Sequence, residues 1–146
     1  MIEPFSDEHF MRQAIQEANK SLQKDEVPIG AVIVAKNSII ARGHNLTEQL
    51  NDVTAHAEMQ AITAAAENLG GKYLKNCTLY VTMEPCVMCA GALNWSQISK
   101  VVFGAYDERR GACRYDGIFH PKTIVQGGLL AEECSELVTN FFKSKR

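Results

Sequence analysis

Residues 79–93 read LYVTMEPCVMCAGAL. The apolar run at 78–82 predicts a buried strand, and it leads straight into Glu84-Pro85. Proline suits the first position of a helix, where its missing N–H costs nothing, so a helix is expected over 86–95. Cys86 and Cys89 then fall in its first turn, three apart and on one face. The positive end of the helix dipole favours thiolates there. A strand that delivers two such thiols to a helix start is an α/β device.

The rest of the chain agrees with that class. Residues 6–24 form an amphipathic helix: Ser6 caps it, Asp7 and Glu8 suit its N-terminus, and Phe10, Ala14, Ile15, Ala18 and Leu22 share a face. Two β-rich runs, 29–35 and 38–42, flank Lys36-Asn37 and predict a tight hairpin. A polar loop at 45–53 precedes an alanine-rich helix over 54–68 that stops at Gly70-Gly71. Further strands are expected at 100–105 and, weakly, 123–126, and a closing helix at 130–142. The order αββαβαβ(β)α implies a mixed sheet with helices on both faces, a three-layer α/β/α sandwich. At 146 residues the whole chain, 1–146, is expected to be one domain.

Composition narrows the classes of function. The chain is 46% hydrophobic and 22% charged, as globular domains are, and no apolar run approaches the roughly 20 residues of a membrane helix. The start of the chain carries Glu3 and Asp7 and no signal-peptide core, so a cytoplasmic setting is expected. Five cysteines, at 77, 86, 89, 113 and 134, show no framework spacing, which favours metal binding or burial over disulfides. A net charge of −2 gives no bulk attraction for nucleic acid, so any such contact must be local.

Two thiolates make half a metal site, because zinc prefers four ligands drawn from Cys and His. His56, in Thr54-Ala55-His56-Ala57-Glu58, supplies a third at another expected helix start. Three protein ligands leave one position for water, whose pKa zinc brings to about 7. Residues two apart on a helix point about 200° from each other, so His56 and Glu58 cannot both bind one ion beside the helix. The ion must lie off the helix end, with Glu58 free to carry protons. Such a pair suits hydrolytic removal of an amino group from a ring carbon. A structural zinc would want a fourth ligand, and none is evident among Cys77, Cys113, Cys134, His9, His44 or His120.

His56-Ala57-Glu58 and Pro85-Cys86-Val87-Met88-Cys89 match the known signature of the zinc-dependent nucleoside and nucleobase deaminases. DEVPIGAVIV (25–34), TAHAEM (54–59), LYVTMEPCVMCAGAL (79–93) and VVFGAYD (101–107) resemble, within that family, the bacterial tRNA adenosine deaminases of the TadA type. The resemblance spans about residues 7–142 and implies a five-stranded, cytidine-deaminase-like sheet, one zinc per subunit and a homodimer. It implies conversion of the wobble adenosine of a tRNA anticodon loop to inosine, with Glu58 catalytic and His56, Cys86 and Cys89 on the metal. It also implies a substrate-contacting asparagine after the second strand, where Asn45 stands. The stretch 111–121 keeps His120-Pro121 but is shorter than is usual in the family. Similar segments occur in guanine and cytosine deaminases, which makes a free nucleobase or nucleoside the alternative substrate.

Glu84 is open to two readings, a contact to the substrate amino group or a brace for its turn. Trp95 and Phe103 read as core or dimer contacts, and Cys77, Cys113 and Cys134 as plain thiols. Arg109, Arg110, Arg114 and the basic end 143–146 are candidates for meeting RNA phosphates.

Overall fold

Ser6 starts the first helix by accepting a hydrogen bond from the His9 amide. In the computed structural model, which describes residues 2–146, this helix (α1) runs Asp7–Gln23. It buries Phe10, Met11, Ala14 and Ala18 against one face of a sheet. The next two strands, Gly30–Ala35 (β1) and Ser38–His44 (β2), pair antiparallel around Lys36 and Asn37. Both turn residues have positive φ, 51° and 63°, the backbone of the two-residue hairpin expected there.

Helix α2 (Ala57–Leu69) follows the polar loop and ends where Gly70 turns left-handed. Strand β3 (Cys77–Met83) pairs antiparallel with β1, then crosses over through helix α3 (Val87–Ser96) to a parallel neighbour, β4 (Lys100–Ala105). A short 3-10 turn (Ala112–Arg114), strand β5 (Ile124–Gln126) and helix α4 (Ala131–Ser144) complete the chain. The sheet order is β2-β1-β3-β4-β5.

Alternating residues of the strands face opposite layers. Ala31, Ile33, Leu79, Val81, Val101 and Phe103 pack on the side of α2 and α3, with Ala57, Ala61, Ala65 and Leu93. Val32, Val34, Tyr80 and Val102 pack on the side of α1 and α4. The expected three-layer sandwich with a mixed five-stranded sheet is therefore what the chain forms. Among the described residues no helix is long and apolar enough to cross a membrane.

Gly43 decides how closely α2 approaches. A Cβ there would lie 2.4 Å from the Ala57 carbonyl oxygen and 2.8 Å from the Ala61 amide nitrogen, so only glycine lets the helix rest directly on β2. The start of α2, and the residues just before it, are thereby brought beside the carboxyl end of β3. In open α/β sheets that is the side on which ligands bind.

Candidate metal and base site

Helices α2 and α3 both begin in an uncommon way. Their N-caps are His56 (φ −72°, ψ 158°) and Cys86 (φ −73°, ψ 173°), and neither side chain caps its own helix. The sequence reading placed both residues inside the first turn; they stand one step outside it, and Pro85 precedes the cap. Extended backbone at the cap turns each side chain away from its helix and toward the other. His56 Nδ1 lies 3.7 Å from Cys86 Sγ and 3.5 Å from Cys89 Sγ, and the three donor atoms all fall within 4.8 Å of one another.

These spacings suit a shared ion. Tetrahedral zinc with bonds of about 2.3 Å to sulfur and about 2.0–2.1 Å to nitrogen separates those donors by about 3.6 Å. The charges agree with the geometry. Hydrogen bonding from Cys89, reinforced by His56, draws the Cys86 thiol down to about 4, so it stands as a thiolate. Bonding to Cys86, then burial, pushes Cys89 the other way, since two thiolates this close repel. The Cys86 partner also raises His56. A dication relieves that repulsion, and a set of two sulfurs and one imidazole is one that zinc takes.

Glu58 sits one residue into α2, 4% exposed, beneath the trio. Burial pushes its carboxyl up to about 7, with the Cys86 charge adding to the effect. It lines a cavity of about 320 Å³ together with His56. Asn45 and Thr47 form one wall, Val27 and Ile29 another, and Asp107 and Arg110 reach in from the loop after β4. Val138 and Phe142 of α4 also line it. A second hollow of about 440 Å³ lies past Cys86, flanked by Met88, Tyr115, Arg109 and Arg110.

The other expected site residues fall in two groups. Asn45 is buried at the cavity wall, its amide Nδ2 donating to the Val27 carbonyl at 3.3 Å and its Oδ1 accepting from the Thr47 amide at 3.4 Å. Glu84 lies outside the cavity lining: its two oxygens accept the main-chain N–H groups of Asp107 and Cys113, each at 2.9 Å. It thus bears on the site through the 107–113 loop. Val138 and Phe142 were not foreseen. Their neighbour Phe141 is buried, and the 100° helical step swings Phe142 to the cavity.

The cytidine and deoxycytidylate deaminase zinc-binding region matches residues 5–105. The tRNA-specific adenosine deaminase of Aquifex aeolicus is 44% identical, over 95% of either chain. That of Bacillus subtilis is 46% identical, over 96% of this chain and 91% of its own. A structure solved in a study of A-to-I editing by tRNA:A34 deaminases at the wobble position superposes with a TM-score of 0.83. It is 43% identical over 88% of this chain and 98% of its own. A guanine deaminase from Nitrosomonas europaea gives 0.84 at 25% identity, over 93% and 84% of the two chains.

Proposed function

The chain belongs to the family of the cytidine and deoxycytidylate deaminase zinc-binding region, and from that premise we propose that it deaminates the wobble adenosine of a tRNA anticodon to inosine. One observation carries the reaction type: a His-Cys-Cys donor set spaced for zinc, with a buried carboxylate beneath it that is not a ligand. Bound zinc supplies an acidified water and positive charge where negative charge develops.

The chain's own residues do the rest. His56, Cys86 and Cys89 would hold the ion next to the cavity that His56 and Glu58 line. Glu58 accepts one proton from the attacking water and delivers it to the ring nitrogen. It then carries that water's second proton, from the oxygen now bonded to carbon, to the amino group, whose C–N bond breaks to release ammonia as the carbonyl forms. A carboxyl raised to about 7 suits both halves of that transfer. Asn45 fixes the base from the wall, and the apolar Val27, Ile29, Val138 and Phe142 keep bulk water off the ring. Glu84 serves by bracing the loop that presents Asp107 and Arg110.

The tRNA substrate follows from the relatives of that name, which match this chain over nearly its whole length. An anticodon loop is single-stranded, so turning one base into a cavity costs little. Trp95, 85% exposed on α3, with Met88 and Tyr73 exposed nearby in sequence or space, supports a homodimer joined through that face. Five unpaired cysteines support a cytoplasmic enzyme.

The deciding experiment offers zinc-loaded protein an anticodon stem-loop with adenosine at the wobble position and, separately, free guanine, cytosine and adenosine. Inosine in the RNA is expected. Ammonia from a free base with none from the RNA would overturn the assignment in favour of the guanine-deaminase reading that the Nitrosomonas structure makes available.

A further inference from the structure

Glu26 is 1% exposed, yet among the described residues no cation pairs with it. Carboxylates are rarely buried so fully without partners. Its partners are main-chain: Oε1 accepts the Glu48 amide at 3.1 Å and Oε2 the Gln49 amide at 2.7 Å. The reason lies in the loop that holds them. Residues 46–52 wind one helical turn, in which the amides of Leu50, Asn51 and Asp52 reach back to the carbonyls of Leu46, Glu48 and Thr47. The first amides of any such turn have no acceptor within it. Glu26 supplies that acceptor from a distant segment, capping the turn as an aspartate would cap its own helix.

The position matters because of what adjoins each end of the clasp. Val27 follows Glu26 directly and accepts the Asn45 side-chain amide; Thr47 precedes Glu48 and donates its own amide to Asn45 Oδ1. Val27, Asn45 and Thr47 all line the cavity. Glu26 itself does not. We infer that Glu26 is a positioning residue: its carboxylate clasps the 46–52 turn against the segment after α1, fixing the depth at which Asn45 and Thr47 meet the base.

Two features make this specific. Both partners are donors, so the group between them must be acceptor only; a glutamine side chain keeps one acceptor and aims its NH₂ at an N–H. The reacting groups are also held elsewhere, Glu58 within α2 and Cys86 and Cys89 at the start of α3. Loosening the clasp therefore weakens the hold on the base and leaves the proton carrier in place. This inference rests on the cavity being the seat of the base, as proposed above.

The test compares zinc-loaded wild type, Glu26→Gln and Glu26→Asp on the anticodon stem-loop. With Glu26→Gln, KM should rise about tenfold or more, as loss of a bond to a charged group implies, while kcat stays within about twofold. Zinc should remain at one per chain, and amide exchange at Glu48 and Gln49 should quicken. Glu26→Asp keeps two acceptors drawn back by one methylene, should fall between, and serves alone if the glutamine variant does not fold. An unchanged KM, a fall in kcat as large as the rise in KM, or loss of zinc would each overturn the inference. If wild type fails to turn over the RNA, the substrate assignment falls; the exchange rates at 48 and 49 still decide whether Glu26 holds the turn.

Discussion

Replacing Glu58 by glutamine removes the proposed proton carrier and little else. The buried carboxyl is raised by desolvation, so a neutral isostere costs no charge burial. Glu58→Gln should lower kcat by about 10²–10⁴-fold, with zinc content by elemental analysis and Tm unchanged; full activity would refute the role. The motif residues were legible because they are local: His56 with Glu58, and Cys86 with Cys89, are pairs set by short spacing. The sequence misjudged where the helices begin, because Pro85 reads as a first helical residue and cap preferences favour side chains that accept from the helix. His56 and Cys86 do not; their caps are left open so that the side chains can face each other. Val27, Thr47, Val138 and Phe142 carry no spacing signal at all. They converge because the β1–β2 hairpin sets its two outer ends, with Val27 and Thr47, side by side, and because α4, which carries Val138 and Phe142, packs on β4.

At the level of elements, the Lys36-Asn37 hairpin and α1 were readable from turn chemistry and apolar spacing, whereas β5 is three residues long and half-hidden in its loop. The seat of α2 on β2 depends on Gly43. Gly43→Ala should destabilise the fold by about 1–3 kcal/mol, the usual penalty of overpacking, and weaken zinc binding, both measurable by urea titration with and without the metal; an unchanged midpoint would mean that the helix can lift freely. Helix α1 is joined to β2 by polar groups as well. Buried Glu17 receives Lys20, Arg42 and His44 Nδ1, while Lys24 Nζ donates to His44 Nε2. Burial alone would raise Glu17, but those bonds outweigh it and hold the carboxyl below its ordinary 4.5. Burial lowers His44 below 6.5, and the Lys24 ammonium at its second nitrogen also opposes protonation. Each group binds fewer protons folded than unfolded, so stability rises with pH. The His44 part is whole above 6.5 and fades as pH drops below it; the Glu17 part is whole above 4.5 and fades lower still. On going from about pH 7.5 to about pH 5.5 the urea midpoint of wild type should therefore lose ground to that of His44→Gln, because the raised groups Glu58 and His56, which act in the opposite sense, are common to both proteins. A His44→Gln profile parallel to wild type would rule the histidine out.

For the molecule as a whole, the exposed α3 face is the feature that the sequence left open, since Trp95 could have been core or contact. It is 85% exposed and so not core. Trp95→Glu should convert a dimer to a monomer in sedimentation velocity without loss of secondary structure; a wild type that sediments as a monomer would end the dimer proposal. Phe103, at 1% exposure, is core. One further property follows from where His56 and Cys86 stand along the backbone, 30 residues apart, on crossovers that leave different strands. An ion held by both is a rivet through the middle of the chain, closing a ring that the unfolded polypeptide would otherwise leave slack. Chelators should then lower Tm and speed proteolysis well before any activity is assayed, and the melting temperature of the protein becomes a readout of how much zinc it has been given.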